Sequence, residues 1–148
     1  MVFRTESALQ AGSLRTDPEK LGRMARDGKP GVRRRVAANP SCREATLARL
    51  ARDKSKDVRR EVALNPLAGY VTLVNLSFDR SPDVRFAVAE NYGAPMAILL
   101  RMASDDINPY VRARAWNTLK RMEMMIAEEE KSANVICHMD HLSPELGI

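Results

Sequence analysis

The residues best suited to metal or acid–base chemistry lie together near one end of the chain, in the run Cys137-His138-Met139-Asp140-His141. Thiolate, imidazole and carboxylate groups bind zinc, but this spacing matches no closed zinc site. The two histidines of the run are the only ones in the sequence, so no other imidazole is present to move protons near neutral pH. We therefore predict no catalytic residue, no metal ligand and no cofactor.

Sequence motifs of common enzymes are absent as well. The chain contains no Gly-rich phosphate-binding loop, no Gly-x-Ser-x-Gly and no His-Glu-x-x-His. An enzymatic function would instead need a pocket lined by carboxylates of shifted pKa, for which Asp105 and Asp106 are the available pair. We expect a protein that is not an enzyme.

The elements that must position any functional residue are repeats of about 26 residues. Four similar stretches each run from a leucine to an aspartate, and a Val-Arg pair follows each of them. The stretches are Leu21–Asp27, Leu47–Asp53, Leu73–Asp79 and Leu99–Asp105, and the pairs begin at Val32, Val58, Val84 and Val111. A period of this length is typical of solenoids, whose stacked units present a surface rather than a catalytic pocket.

Each repeat is predicted to contain two short helices. The first begins near the Val-Arg pair and ends at Asn39-Pro40 or Asn65-Pro66, because the residue before a proline disfavours helical geometry. The second covers about 42–52, 68–78 and 95–104. Helices of under about 12 residues are marginal in water, so these must be stabilised by stacking on their neighbours. The predicted fold class is an all-α solenoid of about four repeats.

Three segments are predicted along the chain: an N-terminal arm over 1–16, a repeat domain over 17–130 and an irregular tail over 131–148. Asp17 is expected to cap the first helix of the domain, with Pro18 in its first turn. The sequence after Pro109 has no early proline or glycine, so a longer helix over 109–130 is predicted to cap the open end of the core.

The segment Val58-Arg-Arg-Glu-Val-Ala-Leu-Asn-Pro66, with Leu73, Leu76 and Asp79 behind it, resembles the leucine-rich repeat variant family. This resemblance covers about residues 17–118, and a more distant one is to HEAT and armadillo repeats. The resemblance implies paired short helices, some of them 3₁₀, in a right-handed superhelix. One type of family member holds an iron–sulfur cluster in a separate cysteine-rich segment. This chain has only two cysteines, so the resemblance does not extend to that cofactor.

Charge is distributed unevenly along the 148 residues. Residues 1–62 hold 16 Lys or Arg against 8 Asp or Glu, whereas residues 63–148 hold 8 against 11. A basic half of this kind attracts acidic proteins or nucleic acid.

No apolar run approaches the roughly 20 residues of a membrane-spanning helix, and no signal peptide is recognised. With Cys42 and Cys137 as its only cysteines, the chain is expected to be cytoplasmic and free of disulfides.

Arginine and aspartate recur with the repeat. The positions are Arg33, Arg59, Arg85 and Arg112, and Asp27, Asp53, Asp79 and Asp105. They could form a basic stripe for a ligand, or an Arg–Asp ladder that joins adjacent repeats. Recurrence at framework positions favours the ladder, and we expect its pairs to be exposed, each contributing about 0–1 kcal/mol.

Other positions change from repeat to repeat and can therefore encode specificity. Arg34 becomes Arg60 and then Phe86, whereas the neighbouring Arg35 becomes Glu61. We predict a non-catalytic protein-binding scaffold or adaptor that uses the concave face of the solenoid and these variable positions. The predicted partner-binding residues are Arg34, Arg35, Arg60, Phe86 and Glu90.

Nucleic-acid binding through the basic N-terminal half is the alternative function. It is weakened because aromatic residues are not interleaved with the basic ones and no groove-reading motif is present. For the aromatic residues of the second half, filling of spaces between repeats is favoured over an exposed interface. These residues are Tyr70, Phe78, Phe86, Tyr92 and Tyr110. A terminal repeat can also stack on another copy of the chain, so a homo-oligomer stays open.

Overall fold

The computed structural model describes residues 9–13 and 15–140, and for residues 132–140 it describes the backbone alone. The regular structure of this part of the chain is entirely helical. A short helical segment over 9–12 comes first. Eight helices follow: α1 (Pro18–Met24), α2 (Pro30–Ala37), α3 (Glu44–Leu50), α4 (Lys56–Leu64), α5 (Tyr70–Leu76), α6 (Pro82–Glu90), α7 (Met96–Asp105) and α8 (Pro109–Asp140). The predicted all-α class is confirmed.

The start of α1 follows the predicted capping pattern. One carboxylate oxygen of Asp17 accepts hydrogen bonds from the backbone amides of Glu19 and Lys20, both at 3.1 Å, and Pro18 occupies the first turn. Proline also lies in the first turn of α2, α6 and the long α8. These prolines cost no hydrogen bond, because the amides of a first helical turn have no partner within the helix.

The helices alternate between two packing roles. Helices α2, α4, α6 and α8 pack on one another in chain order, and each of α1, α3, α5 and α7 packs on the helix that follows it. The contacts between them are made by apolar residues that recur with the 26-residue period. Val36, Val62 and Val88 are fully buried, as are Leu47 and Leu99. Burial of these stripes is what stabilises helices too short to persist alone.

The helical segment over 9–12 corrects part of the predicted N-terminal arm. Ala11 is fully buried, and the side-chain amide of Asn39 donates hydrogen bonds to the carbonyl oxygens of Ala11 and Ser13, both at 2.9 Å. Ala11 precedes the equivalent Ala37 by 26 residues, so the repeat phase extends further towards the N-terminus than the leucine pattern indicated. Residues 1–8 and 14 of the predicted arm lie outside the described residues.

Helix α8 is longer than the sequence indicated, because it continues to Asp140 rather than ending near Glu130. The prediction of an irregular tail is therefore wrong for residues 131–140, in which no proline or glycine interrupts the helix. The expected finish at Glu128–Glu130 lies inside the helix. Residues 141–148 are outside the described part of the chain.

Helix α7 accommodates the single residue inserted into the last repeat. It has ten residues, whereas the equivalent α3 and α5 have seven each. Because of the insertion, Asp106 rather than Asp105 takes the structural position that Asp53 and Asp79 hold in the earlier repeats. Across the helices of the described residues, none is long and apolar enough to cross a lipid bilayer.

Candidate protein-binding surface

Three of the four recurring arginines form buried ion pairs between repeats. Arg59 places Nε 2.6 Å from Oδ2 of Asp79 and Nη2 3.0 Å from Oδ1, which is a two-point hydrogen-bonded ion pair. Arg33 pairs with Asp53 at 2.6 and 3.0 Å in the same way. Arg85 pairs with Asp106 at 2.7 and 3.0 Å. The favoured interpretation, an Arg–Asp ladder, agrees with these contacts.

Each ladder arginine also reaches backward along the chain. Nη1 of Arg59 donates to the carbonyl oxygen of Asp53 at 2.8 Å, and Arg33, Arg85 and Arg112 make the equivalent bond in their own repeats. Each paired carboxylate in turn accepts a backbone amide two residues on, as Asp79 does from Ser81 at 2.8 Å. The hydrogen bonds of Arg59 therefore connect α4 to the chain just after α3, at Asp53, and to the chain just after α5, at Asp79.

Two details of the ladder differ from the prediction. The pairs are buried rather than exposed, since the side chains of Arg59 and Asp79 are only 7% and 9% accessible. The carboxylate of the last rung belongs to Asp106, and Asp105 is exposed. The residue inserted in α7 moves the rung by one position. Because Asp106 is held by Arg85, it is not the free carboxylate that an acid–base site would need.

The ladder carboxylates stay ionised in spite of their burial. Desolvation favours the neutral acid, but hydrogen bonds from an arginine and a backbone amide outweigh it, so the pKa values of Asp53, Asp79 and Asp106 are lowered. The pKa of Arg59 is raised, chiefly by its hydrogen bond to Asp79. Arg33, Arg59 and Arg85 are thus neutralised internally and are not available to the basic stripe considered for a ligand.

A second ladder was missed in the sequence analysis. The side-chain amide of Asn65 donates to the carbonyl oxygens of Ala37 at 2.7 Å and of Asn39 at 3.0 Å, and Asn39 and Asn91 make equivalent bonds. In the last repeat Thr118 replaces asparagine and donates to Ala89 at 2.6 Å. The asparagines were interpreted only as helix ends before proline. Their 26-residue recurrence, kept at Asn91 without a proline, was the available signal.

Three of the five predicted partner-binding residues meet in one groove. Arg60, Phe86 and Glu90 line a depression of roughly 470 Å³ that crosses α4, α6 and α8. Asp57, Asp83 and Tyr110 complete its walls. Arg60 and Tyr110 are exposed, whereas Phe86 is partly buried against the core.

Ion pairs fix several of the groove's side chains. Nζ of Lys56 lies 2.6 Å from a carboxylate oxygen of Asp83, and Nη2 of Arg114 lies 3.1 Å from one of Glu90. The guanidinium of Arg114 is also 6.0 Å from the centre of the Phe86 ring. The groove thus combines an aromatic floor with charges of both signs along its edges.

The other two predicted residues lie outside this groove. Arg34 and Arg35 are both exposed on α2, and Arg34 occupies the helix position that Arg60 and Phe86 occupy in the next two repeats. Arg34 therefore belongs to the same row of variable positions, one repeat before the groove begins.

The preference for aromatic residues filling spaces between repeats was wrong for most of them. Tyr70 is 64% exposed, Phe78 67% and Tyr110 76%. Only Phe86 packs against the core, while Tyr92 is 44% exposed. Phe78 is covered in part by the guanidinium of Arg101, 4.0 Å from its ring centre.

Metal-type ligands are not gathered within the described residues, where no group of three His, Cys, Asp or Glu side chains could hold an ion. The side chains of the Cys137–His141 run lie outside what the structure describes. Cys42 is fully buried in the core, and this burial raises the pKa of its thiol to about 11.

Comparison with known proteins gave no match to a family model, to a curated protein or to a solved structure.

Proposed function

We propose that the chain is a right-handed α-solenoid of about four repeats, of the leucine-rich repeat variant or HEAT-like kind, and that it acts as a non-catalytic protein-binding scaffold. One observation carries the functional part of the proposal. Framework side chains such as Arg59 and Asn65 make hydrogen bonds between repeats. Positions that vary from repeat to repeat line an open groove instead, and they hold Arg60, Phe86 and Glu90.

The composition of the groove favours a protein segment as its ligand. Phe86 and Tyr110 offer aromatic surface, which supplies much of the binding energy in protein interfaces. Arg60 and Asp57 add exposed charges of opposite sign on the same wall. A peptide with an apolar anchor and flanking charges, an acidic one opposite Arg60 and Arg34, complements this pattern.

Selection of a peptide on the full-length protein tests the proposal. A displayed random-peptide library is selected on the wild type, and the affinity of an enriched peptide is measured calorimetrically. Phe86→Ala and Arg60→Glu should each weaken binding about tenfold or more, as expected for central interface residues. The exposed Arg52, which does not line this groove, provides the matched control Arg52→Glu, with less than a twofold effect. Unchanged affinity in both groove variants would remove this groove from the account.

Nucleic-acid binding is the second candidate function, because the N-terminal half still has exposed cations when the ion-paired ladder arginines are not counted. Arg34, Arg52, Lys54 and Arg60 are all exposed. Fluorescence anisotropy with a labelled duplex and a single strand at low salt tests it. A Kd that weakens steeply as salt rises would favour this function over peptide binding, because cation release dominates contacts to phosphates. No binding at low salt would exclude it.

A further inference from the structure

The face of α8 that points away from the other repeats differs from its equivalents. Ala37, Ala63 and Ala89 are fully buried, and the carbonyl oxygen of each accepts a hydrogen bond from the repeat that follows. Trp116 takes this position in α8 and is 53% exposed. The face that other repeats cover by stacking is therefore open at α8, and an aromatic side chain stands on it.

Arg112 lies on the same open face. Its Nη1 donates to the carbonyl oxygen of Asp106 at 2.6 Å, as the three preceding ladder arginines do to theirs. Each of those three also binds a carboxylate that lies just after the end of the next short helix. Within the described part of the chain, no carboxylate pairs with Arg112. Its guanidinium, held in place by that bond, can donate hydrogen bonds to a carboxylate of another molecule.

The charges of α8 are segregated along its length. Its first part, residues 109–121, contains four cations and no acid: Arg112, Arg114, Lys120 and Arg121. The next part, residues 122–130, contains four acids and no cation: Glu123, Glu128, Glu129 and Glu130. Two such helices side by side attract each other when antiparallel and repel each other when parallel.

The side chains on the open face are in register for that antiparallel arrangement. Spacings of three and four residues place one stripe along the helix: Arg112, Trp116, Lys120, Glu123, Ala127 and Glu130. With a second α8 running in the opposite direction, Arg112 lies opposite Glu130, Trp116 opposite Ala127 and Lys120 opposite Glu123. Two-fold symmetry repeats each pair, and the small Ala127 leaves room for the indole.

We propose that two copies of this chain associate end to end through their α8 helices, antiparallel and two-fold symmetric. The second copy supplies Glu130 to Arg112 and Glu123 to Lys120, and it covers Trp116. This association closes the open end of both repeat stacks without further growth, because a two-fold interface uses the same surface on both copies.

Sedimentation velocity of the full chain over a range of concentrations tests this association. The wild type should sediment as a dimer that dissociates on dilution and at high salt. Arg112→Glu/Lys120→Glu and Glu123→Lys/Glu130→Lys should each sediment as monomers, because each places like charges opposite each other. An equimolar mixture of the two double variants should restore a dimer. Circular dichroism confirms that both variants keep their helix content.

Trp116, the single tryptophan of the chain, provides an independent measurement. Its fluorescence maximum should shift to the red as the wild-type dimer is diluted, and should stay red-shifted in both double variants. The matched control Arg52→Glu/Lys54→Glu reverses two exposed charges outside α8 and should leave the dimer intact. A monomeric wild type, or a dimer that survives in both α8 double variants, would overturn the proposal.

Discussion

At the scale of single residues, buried polar side chains join each repeat to its neighbours through hydrogen bonds of fixed direction and partner. A buried arginine reaches both forward and backward, and a buried asparagine donates to two carbonyl oxygens of the preceding repeat. Buried polar groups of this kind contribute modestly when paired, but removing one partner leaves the other desolvated without compensation. Two predictions follow from that asymmetry.

Replacement of Asn65 should lower the stability of the fold, because the carbonyl oxygens of Ala37 and Asn39 lose their hydrogen-bond donor. Asn65→Ala removes the donor to Ala37 and Asn39 in a region closed to water. We expect the free energy of unfolding, measured with urea, to fall by about 2–3 kcal/mol. Asn75 is exposed on α5, so Asn75→Ala serves as the matched control and should leave the unfolding free energy almost unchanged. Equal effects of the two substitutions would contradict the second ladder.

The ladder carboxylates should make stability depend on acid. Their pKa values are lower in the folded state, so the stability they contribute is present above about pH 4 and is lost as the pH falls through the folded pKa. Asp79→Asn should be less stable than the wild type by about 1–2 kcal/mol at pH 7. The difference in unfolding free energy should narrow as the pH falls from about 4 to 3, because only the wild type loses this contribution. A constant difference across that range would contradict the pairing.

At the scale of helices, periodicity in the sequence predicted the helix pairs well and their ends less well. Val and Leu at fixed intervals identified the buried faces, and Asp17 identified a helix start. The extension of α8 was missed because the repeat pattern of the sequence ends well before residue 131. The shift from Asp105 to Asp106 was missed because an insertion inside a helix leaves the local pattern intact.

The groove was only partly predictable for a related reason. Variation between repeats identified Arg60, Phe86 and Glu90 as free of the framework, but variation alone cannot say which free positions lie close together. Tyr110 joins them only because α8 packs beside α6. The exposed aromatic residues Tyr70, on α5, and Phe78, just after it, were misjudged because apolar character alone does not distinguish a buried position from an exposed one.

The extension of α8 can be tested by interrupting it. Ser132→Pro should end the helix near residue 131, because proline blocks the helical hydrogen bond and clashes with the preceding turn. Circular dichroism at 222 nm should show the loss of about two helical turns. The urea midpoint should not change, because Leu119 is the last buried residue among the α8 side chains that the structure describes, residues 109–131. An unchanged helix signal would contradict a helix that continues to Asp140.

At the scale of the whole molecule, the chain combines a framework that repeats with a surface that does not. Arg33 and Arg59 are neutralised by the framework, so the basic character of the N-terminal half comes from exposed positions such as Arg34 and Lys54. Under the two proposals made above, binding takes place on two faces: the groove across α4, α6 and α8, and the open side of α8. The all-α class and the Arg–Asp pairing could be predicted from one sequence, whereas the asparagine ladder and the ligand of the groove could not.

The repeat architecture itself is tested most directly by removing one unit. Deletion of residues 53–78 joins Arg52 to Asp79 and preserves the phase of both ladders, since Asp79 then takes the place of Asp53. In a stack of equivalent units the shortened chain should remain helical and unfold cooperatively at a lower urea midpoint. Deletion of residues 53–65, half a unit, should abolish cooperative unfolding. If the in-phase deletion is as disruptive as the half-unit deletion, the repeats are not interchangeable and the stacked architecture is contradicted.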